Sequence, residues 1–82
     1  MRVVLSIAAQ KQYIKLPQSE KKKIKKKLLT LESDKLSGKK LVGELKDFRS
    51  LRAWPYRIIY YINKVENRIE VVDIEHRQGV YK

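Results

Sequence analysis

Cysteine is absent from the 82 residues. Neither a disulfide framework nor a zinc–thiolate site can therefore reinforce the fold, and a cysteine nucleophile is excluded. There is one histidine, and one imidazole cannot supply the ligand set of a zinc centre. Asp73 and Glu75 are close in sequence but stand among basic residues with no third ligand at useful spacing, so no metal is expected. Glycine is scarce: two of the three fall in the segment 33–43, and no glycine-rich phosphate loop of the Walker or dinucleotide kind is present. No cofactor is expected either. No apolar run approaches the ~20 residues of a membrane span. The start, "MRVVLSIAAQK", carries one arginine and a short apolar stretch with lysine following at once, which reads as strand then helix rather than as a signal peptide. A cytoplasmic location is the expectation.

Acidic residues are also few, nine against twenty Lys and Arg, which leaves a net charge of +11. Such a field draws polyanions, and nucleic acid or an acidic protein is the natural partner. A bland use of the charge is solubility. A chain this short forms one domain, taken as residues 1–82, and buries only about 60% of its unfolded surface.

The apolar residues that remain are patterned. "RVVLS" (2–6) suits a strand, and Ser6 can cap a helix by accepting from the first-turn amides. Ala9, Tyr13 and Leu16 follow on one helical face until Pro17 interrupts. Ser19 is a second cap candidate, with Glu20 placed against the positive end of the helix dipole. In the next helix Ile24, Leu28 and Leu31 share a face while Lys22, Lys25 and Lys26 point away. The lysine run thus reads as the solvated back of a helical hairpin. Residues 33–43 read as a loop.

From residue 49 the composition turns aromatic and β-branched, as in strands. Trp54-Pro55 marks a turn or bulge, 65–67 a hairpin turn, and "RIEVVDIEH" a last alternating strand. The predicted order is β-α-α-β-β-β, an α+β fold with the helical hairpin packed on an antiparallel sheet. Period two then puts Tyr56, Ile58, Tyr60 and Ile62 on the core face, and Arg57, Ile59 and Tyr61 on the open one. A rigid strand would hold Arg57 where a ligand can meet it.

After the apolar stretch that stops at Ile74 come the single histidine, an arginine and a tyrosine, an odd choice for a terminus that is usually expendable. Arginines, lysines and tyrosines with one histidine suit phosphate chemistry. Cleaving RNA through its own 2′-hydroxyl needs a base, positive charge at the crowded phosphate and an acid for the leaving oxygen. Arginine contacts phosphate oxygens in bidentate fashion, and tyrosine stacks on unpaired bases. Arg57 and Arg77 would serve equally well as partners of Glu and Asp, and Tyr81 as packing.

"LVGELKDFRSLRAWPYRIIYYI" followed by "IEVVDIEHRQGVYK" resembles the second half of RelE/ParE-type toxins of toxin–antitoxin systems. A Leu-x-Gly-x-Leu stretch (Leu41–Leu45), an R-x-x-x-YR-x-x-Y strand (Arg52 to Tyr60) and an I-x-HR-x-x-VY ending (Ile74 to Tyr81) carry the resemblance, and the short first strand and basic second helix fit it. For RelE-like members it implies a microbial-RNase-like fold and metal-independent cleavage of messenger RNA in the ribosomal A site, held in check by a cognate antitoxin. The matching positions imply catalytic roles for Arg57, Arg77 and Tyr81. Ser50 stands where RelE-like enzymes often carry a lysine, so Lys46, His76, Arg52 and Arg49 are candidates for base or auxiliary group, and Lys39 and Lys40 for RNA binding. Two alternatives stay open. One is the ParE-like branch, which poisons DNA gyrase without cutting RNA; the other is a basic RNA-binding module with no catalysis.

Overall fold

The computed structural model describes residues 1–76. The expected catalytic residues Arg77 and Tyr81 lie outside the described residues. The chain runs β1 (Arg2–Leu5), α1 (Ile7–Ile14), α2 (Gln18–Ser33), β2 (Lys39–Lys40), a single 3-10 turn (Gly43–Leu45), β3 (Arg49–Ala53), β4 (Tyr56–Asn63) and β5 (Arg68–His76). The strands form one sheet in the order β1-β5-β4-β3-β2.

The α+β class holds, with two corrections. The sheet is mixed, because β1 runs parallel to β5, with Arg2 opposite Arg68 and Leu5 opposite Val71. Strand direction is invisible in the alternation of a four-residue apolar segment. The segment 33–43 is also not all loop: Lys39 and Lys40 pair with Ser50 and Arg49 to make a fifth strand. Two lysines carry no strand pattern; the edge of β3 imposes theirs.

Ser6 caps α1 as expected, its hydroxyl accepting from the Ala9 amide at 3.1 Å. Helix α1 ends at Ile14, so Leu16 packs from the connection instead of the helix. Helix α2 starts one residue before Ser19, with Pro17 at the cap position and no side-chain cap, and Glu20 in the first turn. Proline suits a helix start, since its missing N–H is unbonded there anyway. Ile24 and Leu31 are fully buried while Lys22, Lys25 and Lys26 are exposed, as the 3.6 period requires. The β3–β4 connection lies at Trp54-Pro55, and Asn67, with φ 54°, closes the β4–β5 turn. Asparagine tolerates this left-handed conformation better than most residues.

Ile58 and Tyr60 from β4, Leu51 and Ala53 from β3, and Ile69, Val71 and Ile74 from β5 meet Ile24 and Leu31 of α2 and Ala9 of α1 in the core. In β5 the buried positions switch from 69 and 71 to 74, because the register with β4 slips between Ile59 and Tyr60. This bulge lies just past the end of β1, where one edge of β5 has lost its partner strand. Two polar side chains cover that edge. Ser6 donates from Oγ to the Val72 carbonyl at 3.2 Å, and Gln12 accepts the Ile74 amide at 2.8 Å while donating to Asp73 Oδ1. An unpaired buried amide costs about 1–3 kcal/mol, so these contacts secure the bulge.

Candidate functional site

Strand β3 outruns its two-residue partner β2. Past Ser50 it continues through Leu51, Arg52 and Ala53 with no strand of the described residues on that side. Helix α2 passes over this step, and the two enclose an open groove of about 630 Å³. Lys27, Lys39, Ser50, Arg52 and Arg57 line it. Lys39 and Ser50 are register partners, as are Arg52 and Arg57, so the ladder fixes both pairs on one face of the sheet. Lys27 reaches in from α2. Among the described residues the groove's lining has no acidic one.

Glu75 sits across from Arg57 in the β4–β5 ladder. Its carboxyl is held above the ordinary glutamate range, first by burial, then by a hydrogen bond with Asp73 and by that neighbour's charge; Arg57 pulls the other way. Burial and the neighbouring carboxylate both favour its protonated form, and the Arg57 charge favours the ionised one. The site thus sets a cationic wall one strand away from a carboxyl, and the wall offers the positive charge that a phosphodiester needs.

Of the sequence candidates, the groove unites Arg57, Arg52 and Lys39. Arg49 is engaged elsewhere, its Nη1 donating to the Gly38 carbonyl at 2.9 Å and so tying down the entry to β2. Lys40, Lys46 and Arg49 line a separate groove beside Tyr61. His76 pairs with Tyr56, whose ring it meets edge-on at 5.1 Å and 87°, so it lies on the helix-packed face and not beside Arg57. Two residues escaped the sequence reading. Lys27 is three after Ile24 and four before Leu31, on the border of the apolar stripe rather than on the solvated back; that spacing was the signal that could have found it. Glu75, weighed only as a metal ligand, needed the cross-strand register to be found. Among the described residues no group of three or more His, Asp or Glu is arranged to hold a metal, and no helix is long and apolar enough to cross a membrane.

On the opposite flank of the open face a second polar cluster fixes Tyr61. Its hydroxyl donates to Glu70 Oε2, Asn63 Nδ2 donates to the same oxygen at 2.8 Å, and the Phe48 ring stands edge-on at 5.6 Å. The bond to Tyr61, ahead of that to Asn63, holds the Glu70 carboxyl below its ordinary value, and the same bond pushes the phenol up.

Two helices on a mixed five-stranded sheet are the architecture of the RelE/YoeB/ParE class of toxin structures. The chain shares this fold with the toxin–antitoxin complex RelBE2 of Mycobacterium tuberculosis, at TM-score 0.83 and 26% identity over 93% of this chain and 96% of that one. It matches the isolated RelE toxin of E. coli at TM-score 0.77 and 27% identity, covering 98% and 89%. The YoeB/ParE toxin of Agrobacterium tumefaciens is similar in fold, at TM-score 0.80, 18% identity and coverage of 93% and 98%. No curated protein matches the sequence significantly. Residues 3–81 match the model of the ParE toxin of type II toxin–antitoxin system, parDE. The chain belongs to that family, as a toxin of the RelE/ParE superfamily.

Proposed function

We propose that this toxin is an endoribonuclease that cleaves messenger RNA, in the ribosomal A site, by attack of a 2′-hydroxyl on the adjacent phosphate. One observation carries the reading: Arg57 stands with Arg52, Lys39 and Lys27 in a groove free of acidic lining, with the Glu75 carboxyl across the ladder. In the step itself the 2′-oxygen loses its proton to a base and bonds to phosphorus. The bond from phosphorus to the 5′-oxygen breaks, and an acid returns a proton to that oxygen. Arg57 stabilises the charge that builds on the phosphoryl oxygens, as preorganised donors do. Arg77 acts on the same charge or on the leaving oxygen, and Tyr81 stacks on and aligns the target base. Glu75, opposite Arg57 in the ladder, is the carboxyl placed for one of the two proton transfers. The toxin acts in the cytoplasm and is stored with a cognate antitoxin, an acidic or amphipathic segment that covers basic surface and folds on binding.

Purified toxin added to translating ribosomes, with cuts mapped by primer extension, tests this. Cuts confined to the A-site codon are expected. A second reading draws on the family match itself, since ParE-like toxins poison DNA gyrase: intact message with stalled gyrase would establish that branch. Expression alone should arrest growth, and co-expression with the neighbouring antitoxin should restore it.

A further inference from the structure

The strands step a second time, on the other side of β2. Arg49, the first residue of β3, pairs with Tyr60, so β4 runs on through Tyr61, Ile62 and Asn63 without β3 beside it. This step opens a groove of about 650 Å³. Lys40, Lys46, Arg49 and Lys64 line it together with Tyr61 and Asn63, and Asp47 is the one acid in the lining. Lys40, Lys46 and Lys64 are exposed, so their ammonium groups are open to a ligand. Tyr61 and Asn63 are not loose: both are anchored on Glu70, which holds the aromatic ring in one orientation. A fixed ring among cations is the combination that accepts an unstacked base and its phosphates.

The two grooves adjoin across β2. Lys39 lines the Arg57 groove and Lys40 the Tyr61 groove, because neighbouring residues of a strand project to opposite sides. Arg49 and Arg52, one in each lining, are three residues apart on β3, about 10 Å at strand rise. What joins them is β4: Arg57 and Tyr61 stand on its one open face, four residues or about 13 Å apart, a span that a single strand of a few nucleotides can cover.

We propose that the Tyr61 groove is a second RNA subsite, which holds nucleotides flanking the one bound at Arg57. The inference rests on the RNA reading above. It favours RNA over an acidic peptide because, among the described residues, Leu36 and Ile62 are the only aliphatic lining, too little to anchor peptide side chains, and because the cations continue from those beside Arg57.

Fluorescence anisotropy with a labelled 2′-O-methyl RNA decamer tests it, since that probe binds but has no free 2′-hydroxyl to attack. The Lys40→Ala/Lys46→Ala/Lys64→Ala protein should bind roughly 10–10²-fold more weakly at 0.1 M salt, with a log–log salt slope shallower by about 2, or about 0.7 for each phosphate no longer neutralised. The single exposed change Lys64→Glu should act in the same direction, which keeps the test open if the triple variant fails to fold. Lys22→Ala/Lys25→Ala/Lys26→Ala removes the same charge from the far face of α2 and should cost clearly less. Equal losses in the two triple variants would overturn the subsite. So would a decaglutamate peptide that binds as tightly as the RNA and loses as much, which would make the groove a protein surface. Because the probe is uncleavable, the outcomes separate: decamer binding through these lysines without message cleavage leaves the subsite standing and removes the nuclease. Message cleavage with decamer binding indifferent to these lysines does the reverse.

Discussion

The buried phenol of Tyr60 spans the loop before β2: its hydroxyl donates to the Lys35 carbonyl and accepts the Gly38 amide, each at 2.9 Å. A β-carbon on Gly38 would stand 2.5 Å from that hydroxyl oxygen and 2.6 Å from the ring, so only glycine lets the backbone come this close. Gly38→Ala should therefore destabilise the protein by about 1–3 kcal/mol through overpacking. Tyr60→Phe should cost about 1–3 kcal/mol through the two backbone groups it strands. Urea unfolding measures both. Full stability in Gly38→Ala would show that this approach is not tight. Since the loop leads into Lys39 and Lys40, RNA affinity should fall with it.

Arg57→Ala and Arg77→Ala should each lower the rate of message cleavage by ~10²–10³ while remaining folded, the usual loss when one preorganised charge-stabilising donor is removed. Tyr81→Phe keeps the ring, and Tyr81→Ala does not. Stacking predicts near-normal cleavage for Phe and poor cleavage for Ala, whereas a role as the acid predicts failure of both. Alanine tolerated at all three positions would refute the site. Toxicity retained with whole RNA would point to the gyrase branch.

Neutralising Lys22, Lys25 and Lys26 together should weaken ribosome binding and flatten its salt dependence by roughly one log–log unit for each phosphate no longer neutralised. The cleavage rate at saturating ribosome should stay put, because these side chains lie across α2 from the buried Ile24 and Leu31. A collapsed rate in a folded variant would place the active site on the helical face.

Glu75 makes the stability of the fold depend on pH in a definite sense. Its carboxyl titrates above the ordinary 4.5, through burial first, then Asp73, with Arg57 opposing. The folded state then holds this proton more tightly than the unfolded one, so stability falls as pH rises from about the ordinary value through the raised one. Glu75→Gln does not titrate and should flatten that part of the curve in thermal melts taken between mildly acidic and neutral pH. If Glu75 also carries the proton, the same variant should lose the matching limb of the pH–rate profile. An unchanged profile would leave Glu75 a purely structural residue.

Much of this could be read from residue order, for identifiable reasons. Period two placed Ile58 and Tyr60 inward and Arg57 outward because β4 is long and regular up to its bulge. Period 3.6 separated Ile24 and Leu31 from the lysines of α2. What failed depends on distance across the fold. The parallel partner of β1 is more than sixty residues away, and β2 exists only because β3 offers it an edge. The pairing of Glu75 with Arg57 likewise needed a register between strands, and His76 fell to the Tyr56 side by that same register. Family motifs marked the strand arginine; they could not say which neighbours share its groove.

The parallel pairing of β1 with β5 also sets an order in time. Leu5 leaves the ribosome 63 residues ahead of Arg68, and β5 is the strand against which β1 hydrogen-bonds. At ~5–20 residues per second that gap lasts about 3 to 13 s. During it the first strand lacks its partner, and the two helices lack the β5 side chains that complete their core. Pairing across such a separation is slow to close. The sheet therefore cannot be completed until β5 itself has been made.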